Sequence, residues 1–209
     1  MNIIGRKKLY FTISLLVMIP GLISLVLWGL NLSIEFTGGS RMSISFSNEV
    51  TTEQKDFIRT SLEEQNVKVS SIETSKKLAI IRTNQINQKQ NSEFVKDLNA
   101  KYRDGKLQEF STIGPTIGEE TTRNAVKAVI VASLLVVVYI SLVFRKVPKP
   151  ASSIRFGVST VVALIHDVLV VVGVFSILGH FLHVEIDSLF VTALLTIIGF
   201  SVHDTIVVF

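Results

Sequence analysis

The run SLFVTALLTIIGFSVHDTIVVF, residues 188–209, decides what kind of molecule this is. It is close to the roughly 20 apolar residues needed to cross a bilayer core of about 30 Å. Its single charged residue is Asp204, directly after His203. Three more apolar blocks of similar length lie at 9–30, 125–144 and 156–179. With 48% hydrophobic and 18% charged residues gathered in this way, the 209-residue chain is neither disordered nor an ordinary soluble domain. A polar stretch separates the first two blocks. The expectation is an α-helical integral membrane protein with four transmembrane helices and one sizeable domain in water.

Charge sets the expected topology. The net charge of +4 does not indicate a nucleic-acid partner, because residues 31–120 carry 12 Lys/Arg against 13 Asp/Glu. The excess lies beside the blocks, at Arg6, Lys7 and Lys8, then Arg145, Lys146, Lys149 and Arg155. Basic flanks mark the cytoplasmic side. Residues 1–8 are therefore expected to be a cytoplasmic N-terminus, 9–30 the first transmembrane helix and 31–122 an extracytoplasmic domain. Helices over 123–144 and 156–179 flank a cytoplasmic loop at 145–155 that contains Pro148 and Pro150; 180–187 is an outer loop, and 188–209 returns. The last helix reaches Phe209 with no charged flank, so further chain is expected beyond it. The first block exceeds a signal-peptide core and lacks a small-x-small cleavage site after Trp28, an interfacial anchor type. Pro20-Gly21 is expected to bend this uncleaved helix.

The outer domain alternates in period. Residues 41–46 read as a strand, 51–62 as a helix with Phe57, Ile58 and Leu62 inward, and 67–74 and 78–83 as two strands. A second helix over 92–103 presents Phe94, Val95 and Leu98, and 107–113 is the last strand. The order β-α-β-β-α-β is that of a ferredoxin-like α+β domain. It holds no catalytic spacing. The absence of cysteine removes disulfide and thiol chemistry, and no metal or cofactor motif occurs. P-loop, Gly-x-Ser-x-Gly and His-Glu-x-x-His patterns are also missing, so the chain is not expected to be an enzyme.

Chemistry must then lie in the membrane blocks. His166-Asp167 falls near the middle of the third and His203-Asp204 well along the fourth. An intramembrane carboxylate costs at least a few kcal/mol, so such residues usually face a cavity or partner and carry function. In adjacent antiparallel helices the two depths approach each other. Thr192, Thr196, Gly199 and His203 form one stripe, with Ser201 a turn before Asp204; Ser159, Ala163, His166 and Gly173 form another. Small residues at such spacing are also how membrane helices pack. Neither acid has the Gly-x-Gly-Asp setting of an intramembrane aspartyl protease.

Four segments carry a family resemblance: Glu35-Phe36-Thr37-Gly38-Gly39, Ile113-Gly114-Pro115-Thr116-Ile117-Gly118, Ala163-Leu164-Ile165-His166-Asp167, and residues 198–208. In this order around a β-α-β-β-α-β domain, the chain resembles the SecF side of the SecD/SecF protein-export family, which is related to the resistance-nodulation-division transporters. That family usually has Asp where Glu35 stands, and its SecF-like members have six spans. The resemblance implies a multi-pass protein of the bacterial cytoplasmic (inner) membrane that pairs with a SecD-like subunit. It further implies association with a SecY-type channel, in the membrane lipid, and use of the proton-motive force to promote preprotein export. Asp204 matches the family's proton-pathway aspartate and Asp167 its second transmembrane acid, with His203, His166, Ser201, Gly199 and Thr196 in support. Glu35, Phe36, Gly38, Gly39, Gly114, Pro115 and Gly118 match its motif near the membrane. The competing expectations are a passive scaffold of the translocon and a small-molecule efflux subunit, though efflux pumps carry far larger external domains.

Overall fold

Alternating apolar residues and period-3.6 stripes build two distinct bodies in the computed structural model, which describes residues 4–143 and 153–208. One body is 33–122; the other joins 1–32 to 123–209. In chain order the elements are α1 (Lys7–Trp28), α2 (Ile34–Thr37), β1 (Gly39–Ser45), α3 (Thr52–Glu64), β2 (Val69–Ser75) and β3 (Leu78–Thr83). They continue with α4 (Gln88–Lys101), β4 (Lys106–Ile113), α5 (Pro115–Val143), α6 (Ser153–Leu182) and α7 (Ser188–Val208). The expected loop residues Arg145, Lys146, Pro148, Lys149 and Pro150 lie outside the described residues, as does Phe209.

In 33–122 the strands form one antiparallel sheet in the order β2-β3-β1-β4. Period two puts Met42 and Ile44 of β1 and Ala79 and Ile81 of β3 on one face, where all four are fully buried. That face packs against Ile58 and Leu62 of α3 and Phe94 and Leu98 of α4, also fully buried. Both helices open with a capping box. Thr51 exchanges side-chain and backbone bonds with Gln54, and Asn87 does so with Gln90. Each box satisfies amide groups that a helix start otherwise leaves unpaired. α4 begins four residues ahead of the expected 92, because this cap, and not the first apolar residue, sets its start.

The glycines and proline of the family motif hold one corner of this body. Gly39 has φ +115°, and a Cβ there would stand 2.5 Å from the Thr83 carbonyl oxygen. A Cβ on Gly118 would meet the Gly38 nitrogen at 2.7 Å. The first turn of α5 therefore lies directly on the chain between α2 and β1, and Thr122 Oγ1 donates to the Phe36 carbonyl at 3.1 Å. Pro115 starts α5, where a missing N–H costs nothing. The helix thus begins eight residues before the expected span at 123.

In the other body α1 and α6 run side by side. Ser14 meets His166, Gly21 meets Gly173, Ser24 meets Ser176 and Trp28 stacks on His180. Every pair is separated by 152 residues, as printed for the two hydrogen-bonded pairs and as 173−21 and 180−28 give for the others. The numbers rise together, so the helices are parallel. The positions 14, 21, 24 and 28 follow a heptad seam. At its middle a Cβ on Gly21 would fall 2.9 Å from the Gly173 Cα, so the backbones touch. Contacts Asp167–Ser201 and Phe175–Phe190 run in opposite senses, making α6 and α7 antiparallel. Ile140 of α5, Leu164 of α6 and Ile198 and Val202 of α7 form a buried cluster. Lys7–Trp28, Pro115–Val143 and Gly157–Leu182 are long and apolar enough to cross a membrane; Ser188–Asp204 is a shorter apolar helix. Their outward faces carry exposed Phe11, Leu16, Val26, Leu135 and Val162, as expected for contact with lipid.

Candidate functional site

Parallel α1 and antiparallel α7 bring polar side chains from three helices to His166-Asp167. Asp167 Oδ1 lies 3.0 Å from His166 Nδ1, and its Oδ2 accepts from Ser201 Oγ of α7 at 2.6 Å. On the far side of the imidazole, Ser14 Oγ of α1 lies 2.5 Å from Nε2. The result is a continuous chain, Ser14–His166–Asp167–Ser201, within predominantly apolar helices. A carboxylate accepts two bonds here, a neutral imidazole has one donor and one acceptor, and each serine has one hydroxyl proton. Such a chain is satisfied along its whole length, which is the condition under which a polar group persists in an apolar setting. It can also carry a proton along its line.

Asp204 is placed differently. Three residues after Ser201, it lies about 4.5 Å further along α7 and about 60° round the helix. Its depth therefore approaches that of Asp167, but the two acids do not share a hydrogen bond. Asp204 and His203 are both exposed, and Asp204 has no hydrogen-bond or ion-pair partner among the described residues. Thr192, Thr196 and Gly199 are exposed on that outer side as well, and a Cβ on Gly199 would meet nothing within 4 Å. Thr196 Oγ1 is turned to its own helix, donating to the Thr192 carbonyl at 2.9 Å. The two stripes thus part company. Gly173 and His166 of the α6 stripe pack on α1, whereas the α7 stripe faces away from every described helix.

Residues not foreseen are Ser14, Ser24 and Ser176. Ser24 and Ser176 are buried, 2.8 Å apart, and Ser176 Oγ donates to the Gly29 carbonyl at 2.6 Å. Their signal was the seam of small and polar residues at 14, 21 and 24, readable only once its partner was known. Of the motif near the membrane, Phe36 and Gly39 are buried, Glu35 is half-buried, Gly38, Pro115 and Gly118 build the corner described above, and the Gly114 carbonyl accepts from the Gly118 N–H at 3.1 Å. Among the described residues no three His, Asp or Glu side chains gather in a way that would hold a metal.

Residues 93–209 match the family described as "Protein export membrane protein SecD/SecF, C-terminal", and 23–50 match "SecD/SecF GG Motif". The second match spans Gly38-Gly39, the one Gly-Gly pair within 23–50. The chain is 37% identical over 210 residues to protein translocase subunit SecF of Anaerolinea thermophila, covering 100% of this chain and 67% of that protein. It is 39% identical over 223 residues to the SecF of Thermobaculum terrenum, covering 100% and 68%. Protein translocase subunit SecDF of Bacillus subtilis is 32% identical over 207 residues, 98% of this chain and 26% of that protein. The crystal structure of SecDF from Thermus thermophilus, described as a translocon-associated membrane protein, superposes with a TM-score of 0.75 at 28% identity. That likeness covers 98% of this chain and 26% of that one. The chain thus spans about two thirds of these SecF relatives and about a quarter of SecDF. On these matches, the chain belongs to the SecD/SecF family of protein-export membrane proteins.

Proposed function

We propose that this chain is a SecF-type accessory subunit of a Sec protein translocase and that it uses the proton-motive force to promote preprotein export. In this reading it crosses the bacterial cytoplasmic membrane four times over the present residues, with its N-terminus inside. Its 33–122 body is a ferredoxin-like domain on the outer side. It pairs with a SecD-like subunit and works beside a SecY-type channel. The names of the SecF and SecDF relatives support the translocase assignment, and the basic residues Arg6, Lys7 and Lys8 support the orientation.

The observation that carries the proton-driven reading is Asp204. It is a carboxyl on an apolar helix, with no partner among the described residues and on a side that faces none of the described helices. Such a group requires either a partner outside this body or a path to water. One charge moved through 100 mV supplies about 2.3 kcal/mol, enough to bias a conformational equilibrium of a few kcal/mol. Asp167, one turn away through Ser201, is the second acid of the path. The test is secretion of a reporter preprotein in cells whose only copy of the protein carries Asp204→Asn. Export slowed at least tenfold at normal protein level supports the reading. Unchanged export contradicts it and leaves a passive scaffold.

A further inference from the structure

We propose that Ser14, on the first helix, is a positioning residue of the His166–Asp167 proton site, donating to the imidazole when the site is empty and accepting from it when a proton is bound. The inference deepens the proton-driven reading and rests on it for its bearing on export, but its geometry stands by itself.

The number of protons available fixes the direction of each bond. Only Ser14 and Asp167 bond the imidazole among the described residues. While Asp167 is charged, its Oδ1 at 3.0 Å from Nδ1 requires the proton on Nδ1, because two lone pairs facing each other at that distance repel. Nε2 is then bare, and the 2.5 Å contact with Ser14 requires the serine to donate. Ser201 donates to the other carboxylate oxygen. One added proton binds Nε2 and gives an imidazolium between the carboxylate and the serine oxygen. If the charge then relaxes, the Nδ1 proton moves to Oδ1, leaving a neutral acid beside an imidazole protonated on Nε2. In both protonated forms the heavy atoms can stay in place and Ser14 becomes the acceptor. Proton uptake thus reverses one hydroxyl on α1, and the site belongs to three helices rather than two. Among the described side chains, the other ionisable groups on these helices are Lys7, Lys8 and Tyr10 of α1, His180 of α6, His203 and Asp204 of α7, and Glu119, Glu120, Arg123, Lys127 and Tyr139 of α5. None of them bonds the imidazole among the described residues.

The experiment is ¹⁵N NMR of the four histidines in the whole protein in lipid bilayers, with His166 identified by its loss in His166→Gln. At alkaline pH His166 is expected to carry its proton on Nδ1, with Nε2 bare but hydrogen-bonded. Ser14→Ala moves the Nε2 resonance toward that of a nitrogen without a donor, and Ser14→Thr, which keeps the hydroxyl, restores it. In cells Ser14→Ala slows export several-fold and Ser14→Thr recovers it. Either an Nε2-protonated His166 at alkaline pH or an Nε2 resonance indifferent to Ser14→Ala overturns the proposal. If the resonance responds but Asp204→Asn leaves export unchanged, Ser14 keeps its position in the network and the proton-driven function falls.

Discussion

The chain carries the same dipeptide twice, His166-Asp167 on α6 and His203-Asp204 on α7, and folding gives the two copies opposite surroundings. Asp167 is held from both sides, by His166 at 3.0 Å and Ser201 at 2.6 Å, with Ser14 behind the imidazole. Asp204 is exposed, beside an exposed His203 and an outer stripe of small residues. The difference teaches that an acid in an apolar helix is not one kind of signal. Where its bonds close within the chain, it ties neighbouring helices together. Where they do not, it is available to something that arrives from outside, a proton or a partner.

The largest expected effect separates the two acids by activity. Asp204→Asn slows preprotein export at least tenfold, a loss of about 1.4 kcal/mol or more in barrier terms, while Asp167→Asn slows it about threefold on the same scale. Equal effects would erase the distinction. Stability should sort them the other way. Asp167→Ala strands the His166 and Ser201 donors and costs about 1–3 kcal/mol, whereas Asp204→Ala falls within about 0.5 kcal/mol. Reversible unfolding in mixed micelles reads both values, and an Asp204→Ala variant as unstable as Asp167→Ala would mean that Asp204 is held after all.

The held copy can also be disturbed from a distance. Gly21→Val places methyl groups against the Gly173 backbone, parting α1 from α6 at a cost of about 1–3 kcal/mol. It should break the Ser14–His166 bond, seen as the same Nε2 shift that Ser14→Ala produces, and leave Asp204 untouched. Among changes to the held copy the smallest effect is Ser201→Ala, about 0.6 kcal/mol, the average for a side-chain hydrogen bond between membrane helices. A null result there would put the weight of Asp167's anchoring on His166 alone.

Much of this was legible in the residues, for physical reasons that differ from element to element. Apolar length foretold α1, α5 and α6, which are long and apolar enough to cross a membrane, and the shorter apolar α7; period two foretold β1 and β3, because a half-buried strand must alternate. Start sites were less legible. The first turn of α4, Gln88–Asn91, has no apolar residue, so its beginning was written only in the Asn87/Gln90 cap. α2 is a single turn closed by Ser33 and carries no period at all. The site was half visible. The two His-Asp pairs stood out because charge is rare in such helices, but which one the fold would satisfy depends on neighbours. Ser14 did not stand out by itself, since a hydroxyl in an apolar helix usually bonds its own preceding turn, as Thr12 does to the Lys8 carbonyl and Thr196 to that of Thr192. Only the pairing at a constant interval of 152 residues gives it a different partner.

The measurement that reaches the centre of the account is infrared difference spectroscopy of the protein in oriented bilayers while pH or membrane voltage is stepped, with ¹³C-labelled aspartate marking the carboxyl bands. A protonated-carboxyl band that comes and goes with the step, vanishes in Asp204→Asn and survives in Asp167→Asn is the predicted result. A band that belongs to Asp167 instead, or no aspartate band that responds to either step, contradicts it.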